Sequence, residues 1–135
     1  MTEGDRQNLT QYRLKRARET FDEVSLLIDN DLWHTAVNRL YYANYYAVIA
    51  LLVNKEIVAT THAGVRQMFG FHFIKTGIID KESGKFYSQI FNMRQNGDYE
   101  DYFDFSEDDV LALLEPTSKL IASIEDLLNA SNADN

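Results

Sequence analysis

The sequence predicts an all-α protein, an up-and-down bundle of four to five helices, and three observations carry that expectation. One proline stands in 135 residues, so little interrupts helical backbone. Apolar residues recur at steps of three and four through most of the chain, the spacing that aligns one face of a helix. The β-prone run Ile57-Val58-Ala59-Thr60-Thr61 is short and solitary, which is too little to build a sheet.

Taken in order, Leu14, Ala17, Phe21, Val24 and Ile28 draw a stripe for a first helix over about residues 9–29. Asn30-Asp31 offers a cap for a second, whose stripe Ala36, Leu40, Ala43, Ala47 and Leu51 runs to about residue 54. Its small residues permit another helix to approach closely, and the short connection makes the two antiparallel. Thr60 or Thr61 caps a third helix holding Val65, Met68, Phe69, Phe73 and Ile74, which stops at Gly77. A fourth covers about residues 81–96 with Phe86, Ile90 and Met93 on its apolar side, and Gly97 is placed to end it. Ser106 with Asp109 resembles a capping box for a fifth, which runs to about Leu128 and contains Pro116, an expected kink. The layout is a flexible N-terminus over 1–8, a bundle over 9–128 and a disordered tail over 129–135.

Composition narrows the function classes. The length fits one core, and no cysteine is present, which excludes disulfides, thiolate zinc and a cysteine nucleophile and points to a reducing, cytoplasmic setting. No apolar run approaches the ~20 residues of a membrane span. A net charge of −8 argues against nonspecific nucleic-acid binding driven by the overall field, and no DNA partner is expected. The charge is polarised: residues 6–18 hold Arg6, Arg13, Lys15, Arg16 and Arg18 without an acid, whereas 98–109 carry seven acids. The first reads as a solvated helix face and the second as a solubilising loop.

The richest chemistry lies on helix two. His34, Asn38, Tyr41 and Tyr45 share one face, and Arg39, Tyr42 and Tyr46 the neighbouring one, both bordering the apolar stripe. Tyrosine buries its ring and keeps its hydroxyl at a wet boundary, so this run suits packing and groove lining alike. Arg94 near the end of helix four is favoured there by the helix dipole, and Asp98 four residues on is placed to pair with it.

In order and spacing, Ala36 to Ala47, Thr61-His62-Ala63-Gly64-Val65, Phe69 to Gly77 and Arg94-Gln95-Asn96-Gly97-Asp98-Tyr99 resemble the HEPN domain, specifically its small stand-alone prokaryotic branch. The resemblance covers about residues 10–128. It implies a homodimer in which the ends of helices two and four from both subunits meet in a shared cleft. Ribonuclease members carry there an arginine followed four to six residues later by histidine, for metal-independent cleavage in which the RNA 2′-hydroxyl attacks the adjacent phosphate. Arg94 and Gln95 match the first half of that motif; positions 98 to 100 are Asp, Tyr and Glu, and no histidine follows His72. A proton-transfer contribution of ~10²–10⁴-fold is thereby forgone.

The expected cleft therefore comprises Asn38, Tyr42, Tyr45, Arg94, Gln95, Asp98 and Tyr99, binding a nucleotide, RNA or a protein partner without efficient RNA cleavage. Arg94 is the candidate catalytic group should the chain be an endoribonuclease. The alternative is a ribonuclease toxin of a toxin–antitoxin pair, with His34, His62 or His72 supplying the imidazole from elsewhere. Some HEPN proteins are encoded beside a nucleotidyltransferase that modifies a tyrosine just beyond the arginine motif, and Tyr99 and Tyr102 stand at that place. No metal site or bound cofactor is expected: Asp98, Asp101 and Asp104 lack the glycine turn and closing glutamate of a calcium loop.

Overall fold

The computed structural model describes residues 1–99 and 104–133, and among these it is all helix and turn. Helices α1 (Glu3–Asp29), α2 (Trp33–Asn54), α3 (His62–Phe69), α4 (Lys81–Tyr99) and α5 (Glu107–Ala133) are joined by a π-helical turn over Gly70–Ile74, between α3 and α4. Helix α2 is the hub, packed against α1, α3, α4 and α5.

The apolar stripes explain that arrangement. Ala36, Leu40, Ala43, Ala47 and Leu51 are all fully buried, as the spacing predicted, and their small members let α1 and α5 lie close. The α1–α2 pair is antiparallel: Arg6 reaches Glu56, Arg13 the Ile49 carbonyl, Arg16 the Tyr46 ring and Arg39 Glu23, so numbers rise on one helix as they fall on the other. Most of the basic N-terminal stretch is thus spent on neighbouring helices, and Arg18 is bound by Glu125 of α5. From α5, Val110, Leu113, Leu120, Ile121 and Ile124 complete the core.

Several boundaries differ from the sequence expectation. Helix α1 begins at Glu3 and not near residue 9, because Thr2 and Asp5 form a reciprocal capping box. Asn30-Asp31 does not cap α2: Asn30 closes α1 through its side-chain amide on the Leu26 carbonyl, and Asp31 turns the chain at φ 57°. Thr61 does cap α3, accepting from the Gly64 N–H at 2.9 Å. That helix then widens, with Lys75 N–H donating to the Gly70 carbonyl five residues back at 2.9 Å, before Gly77 turns at φ 80°. Pro116 sits inside α5 without ending it, and the Ser106–Asp109 box is present at 2.9 and 3.2 Å. Helix α5 continues to Ala133, since no glycine or proline stops it after buried Leu128.

Gly97 does not terminate α4, which continues to Tyr99. Its role is close approach: a Cβ there would lie 2.8 Å from Phe105 Cε2 and 3.1 Å from His34 Cε1. The missing side chain lets the segment before α5 and the start of α2 crowd against the last turn of α4, which aims Arg94 and Asp98 at α2.

Candidate functional site

The tyrosine run of α2 divides in two. Tyr41 and Asn44 are fully buried, whereas Tyr42, Tyr45 and Tyr46 sit half-buried at the rim. Asn44 is a packing device, donating to the Leu40 carbonyl at 2.8 Å and to the Thr117 hydroxyl at 2.9 Å across to α5.

At the rim, three helices bring their polar groups together. The Arg94 guanidinium carbon lies 5.1 Å from the centroid of Tyr41 and 5.4 Å from that of Tyr42. Two ring faces thus hold the cation, whose side chain is only 14% exposed. Its Nε is 3.1 Å from Asp98 Oδ2, an ion pair by distance. The N–H is not aligned on that oxygen, however, and Nε is buried without a hydrogen-bond partner. Asp98 also approaches His34 Nε2 at 3.8 Å.

His62, the first residue of α3, completes the group. Its ring stacks on Tyr45 with centroids 4.4 Å apart, meets Tyr42 edge-on at 5.9 Å, and places Nδ1 2.7 Å from the Tyr41 hydroxyl. Burial, followed by the positive charge of Arg94, holds the imidazole below its usual pKa, so it is neutral at pH 7. Burial pushes the Tyr41 hydroxyl up to about 12, against weaker opposing effects of the Tyr87 hydroxyl, which is near but not aligned as a hydrogen bond, and of Arg94. Tyr41 therefore keeps its proton and has one to donate. Where the Tyr41 hydroxyl donates to Nδ1, the neutral imidazole carries its proton on Nε2 and is a hydrogen-bond donor at that nitrogen.

The coupling is testable. Arg94→Ala removes the repelling charge, so the His62 pKa rises, as read by NMR titration of the ring; an unchanged or lower value contradicts the coupling. The same depressed pKa means that the unfolded chain binds a proton more readily near pH 6.5. The His62 contribution to stability therefore falls as pH drops through about 6.5, and the loss levels off below the folded-state pKa.

Of the expected cleft residues, the structure unites Tyr42, Tyr45, Arg94 and Asp98 and adds Tyr41 and His62. Asn38 is half-buried one turn before Tyr42, and Gln95 is exposed at the next position around α4. Tyr99 closes α4; its side chain, like the whole of Tyr102, lies outside the described residues. His34 is drawn to Asp98, while His72 lies on the π-turn edge-on to Phe71. Only tertiary packing could reveal the meeting of His62 with Arg94, thirty-two positions apart in the chain. The one local signal is its place at a threonine-capped helix start.

The assembly is a shelf. Two concavities lie elsewhere, one between α3 and α4 and one between α4 and α5. A shelf bearing a ring-clamped cation, a neutral imidazole donor and half-exposed aromatic faces has the chemistry to hold a phosphate and stack a base.

The comparisons agree with this architecture. Residues 10–127 match the family model of the HEPN domain. The chain is 39% identical to a UPF0332 protein of Thermotoga maritima, over 93% of this chain and 95% of that protein. It is 33% identical to a Methanocaldococcus jannaschii protein named "Putative toxin MJ0142", over 75% of this chain and 69% of that protein. No helix among the described residues is long and apolar enough to cross a membrane.

Proposed function

The chain belongs to the HEPN domain family, and on that premise we propose that two copies pair so that their shelves enclose a phosphodiester of RNA, which the protein binds without cleaving efficiently. One observation carries the reading: the Arg94 guanidinium is clamped over the Tyr41 and Tyr42 rings, the same two residues that His62 meets. Nε is itself covered, so a phosphate oxygen would approach the other nitrogens of the guanidinium and add a charge-assisted hydrogen bond to the clamped cation. The Nε2–H of His62 would add a second donor and the exposed faces of Tyr42 and Tyr45 a stacking surface. Pairing is what membership of the HEPN family implies, and it would add a second wall to the site.

The weak-cleavage part rests on the same hydrogen bond. In the tautomer in which Tyr41 donates to Nδ1, Nε2 carries a proton and cannot take one from a 2′-hydroxyl. Asp98 beside Arg94 further disfavours the charge of a phosphorane.

A ribonuclease toxin is the second reading, favoured by the presence of an imidazole beside Arg94 and by the toxin name of a relative. The test incubates the protein with labelled RNA and follows both complex and fragments. A shifted complex containing two chains and intact RNA is expected. Fragments ending in cyclic phosphate that disappear with His62→Ala would establish the ribonuclease instead, and absence of any complex would overturn RNA binding.

A further inference from the structure

A groove of about 530 Å³ runs between α3 with its π-turn and α4. Arg66, Lys81 and Lys85 line it and no carboxylate does, in a chain whose net charge is −8. Elsewhere several cations are spent on acids, Arg6 on Glu56, Arg18 on Glu125, Arg39 on Glu23 and Lys119 on Asp80, and others on a carbonyl or a ring, as Arg13 and Arg16 are. Among the described residues Arg66 and Lys81 have no such carboxylate partner, and Lys85 has only the exposed Glu82 at 3.8 Å.

The groove and the shelf have neighbours in common. Arg66 follows His62 by one turn of α3, and its guanidinium carbon lies 4.4 Å over the ring of Phe91, three residues before Arg94 on α4. Phe91 meets Tyr41 edge-on at 6.2 Å, and Tyr87 forms part of the groove wall while its ring lies 6.4 Å from Tyr41. From Arg94 back to Lys81 the α4 axis covers about 20 Å, room for on the order of four to six phosphates of one strand.

Resting on the RNA reading above, we propose that this groove is a backbone-tracking site: a single-stranded RNA anchored by one phosphate at Arg94 and His62 continues along Arg66, Lys85 and Lys81, which neutralise successive phosphates. The protein therefore prefers an extended strand to a mononucleotide or a short end.

Fluorescence anisotropy of the full-length protein with 5′-labelled oligouridylates of three and ten residues, at sodium chloride from about 50 to 300 mM, tests this. The Lys81→Gln/Lys85→Gln pair is expected to bind the decamer roughly tenfold more weakly, with a salt slope smaller by about 1.4, and the trimer as the unaltered protein does. Decamer affinity and slope equal to those of the unaltered protein would overturn the groove. So would an equal loss in Lys15→Gln/Lys55→Gln, which removes two charges elsewhere. Arg94→Ala separates the two claims, because loss of trimer and decamer together supports the anchor. If the unaltered protein binds neither oligonucleotide, the RNA reading fails and the groove assignment with it.

Discussion

Arg94→Ala should weaken RNA binding by at least about tenfold while leaving the fold intact. A charge-assisted contact to phosphate contributes ~1.5–3 kcal/mol, and 1.4 kcal/mol is a factor of ten. The side chain lies at the rim, tied to α2 only through ring faces and to Asp98 within its own helix. Its removal forfeits two ring contacts of a largely buried side chain, so the melting temperature should fall while circular dichroism still shows the helical fold. Arg94→Lys should recover part of the affinity, since an ammonium supplies charge but not the planar fork. The competing account is that Arg94 and Asp98 pair merely to hold the end of α4. Asp98→Asn distinguishes the two: with the competing carboxylate neutralised, RNA binding strengthens several-fold if Arg94 serves a phosphate, whereas a structural pair would show itself as lowered stability and unchanged binding. Calorimetric titration and melting on the same samples read both.

Asn44→Ala should be the most damaging substitution among the polar residues of the tyrosine-rich run. The amide is fully buried and ties α2 to α5, so its loss leaves the Leu40 carbonyl and the Thr117 hydroxyl without that donor and opens a cavity. A cost of about 2–4 kcal/mol follows from the broken hydrogen bonds and the void. Arg39→Ala, which removes an exposed pair with Glu23 at 3.3 Å, should cost at most about 1 kcal/mol. Urea denaturation separates the two, and equal costs would contradict the division of this helix into a packed inner side and a working rim.

That division marks how far the sequence could be read. The stripes of α1, α2 and α5 were legible because burial imposes the helical period directly, and the capping residues Thr61 and Ser106 announced themselves by type and spacing. The Thr2–Asp5 box was equally readable in principle, being the same three-residue signal, yet it precedes the apolar stripe and so gave no helix to which it could belong. Gly97 misled because glycine has two physical uses, and only the positions of Phe105 and His34 reveal that this one permits close approach. Likewise Asn30 and Asp31 suit a helix start and a turn equally well, and tertiary packing chose the turn. The widened turn at Gly70–Ile74 leaves no local pattern at all.

The candidate site was half legible. Tyr42, Tyr45 and the Arg94–Asp98 pair follow from helical spacing, but nothing local distinguishes Tyr41, which is buried, from Tyr42, which is not. The place of His62 depends on how the α2–α3 connection returns the chain to α2, information distributed over the whole fold. Once there, the 2.7 Å contact with Tyr41 and the burial of both rings determine its protonation, which composition could not foretell.

The central claim is that the ring-clamped guanidinium of Arg94 and the Nε2–H of His62 grip one RNA phosphate. Nitrogen-detected NMR of the unaltered protein, titrated with a short 2′-O-methylated RNA that cannot be cleaved by its own hydroxyl, observes both groups directly. The account predicts that the Arg94 guanidinium and His62 Nε2–H resonances shift most and saturate together at one RNA per two chains. Saturating shifts confined to other residues, or no change at either group while RNA binds, would contradict it.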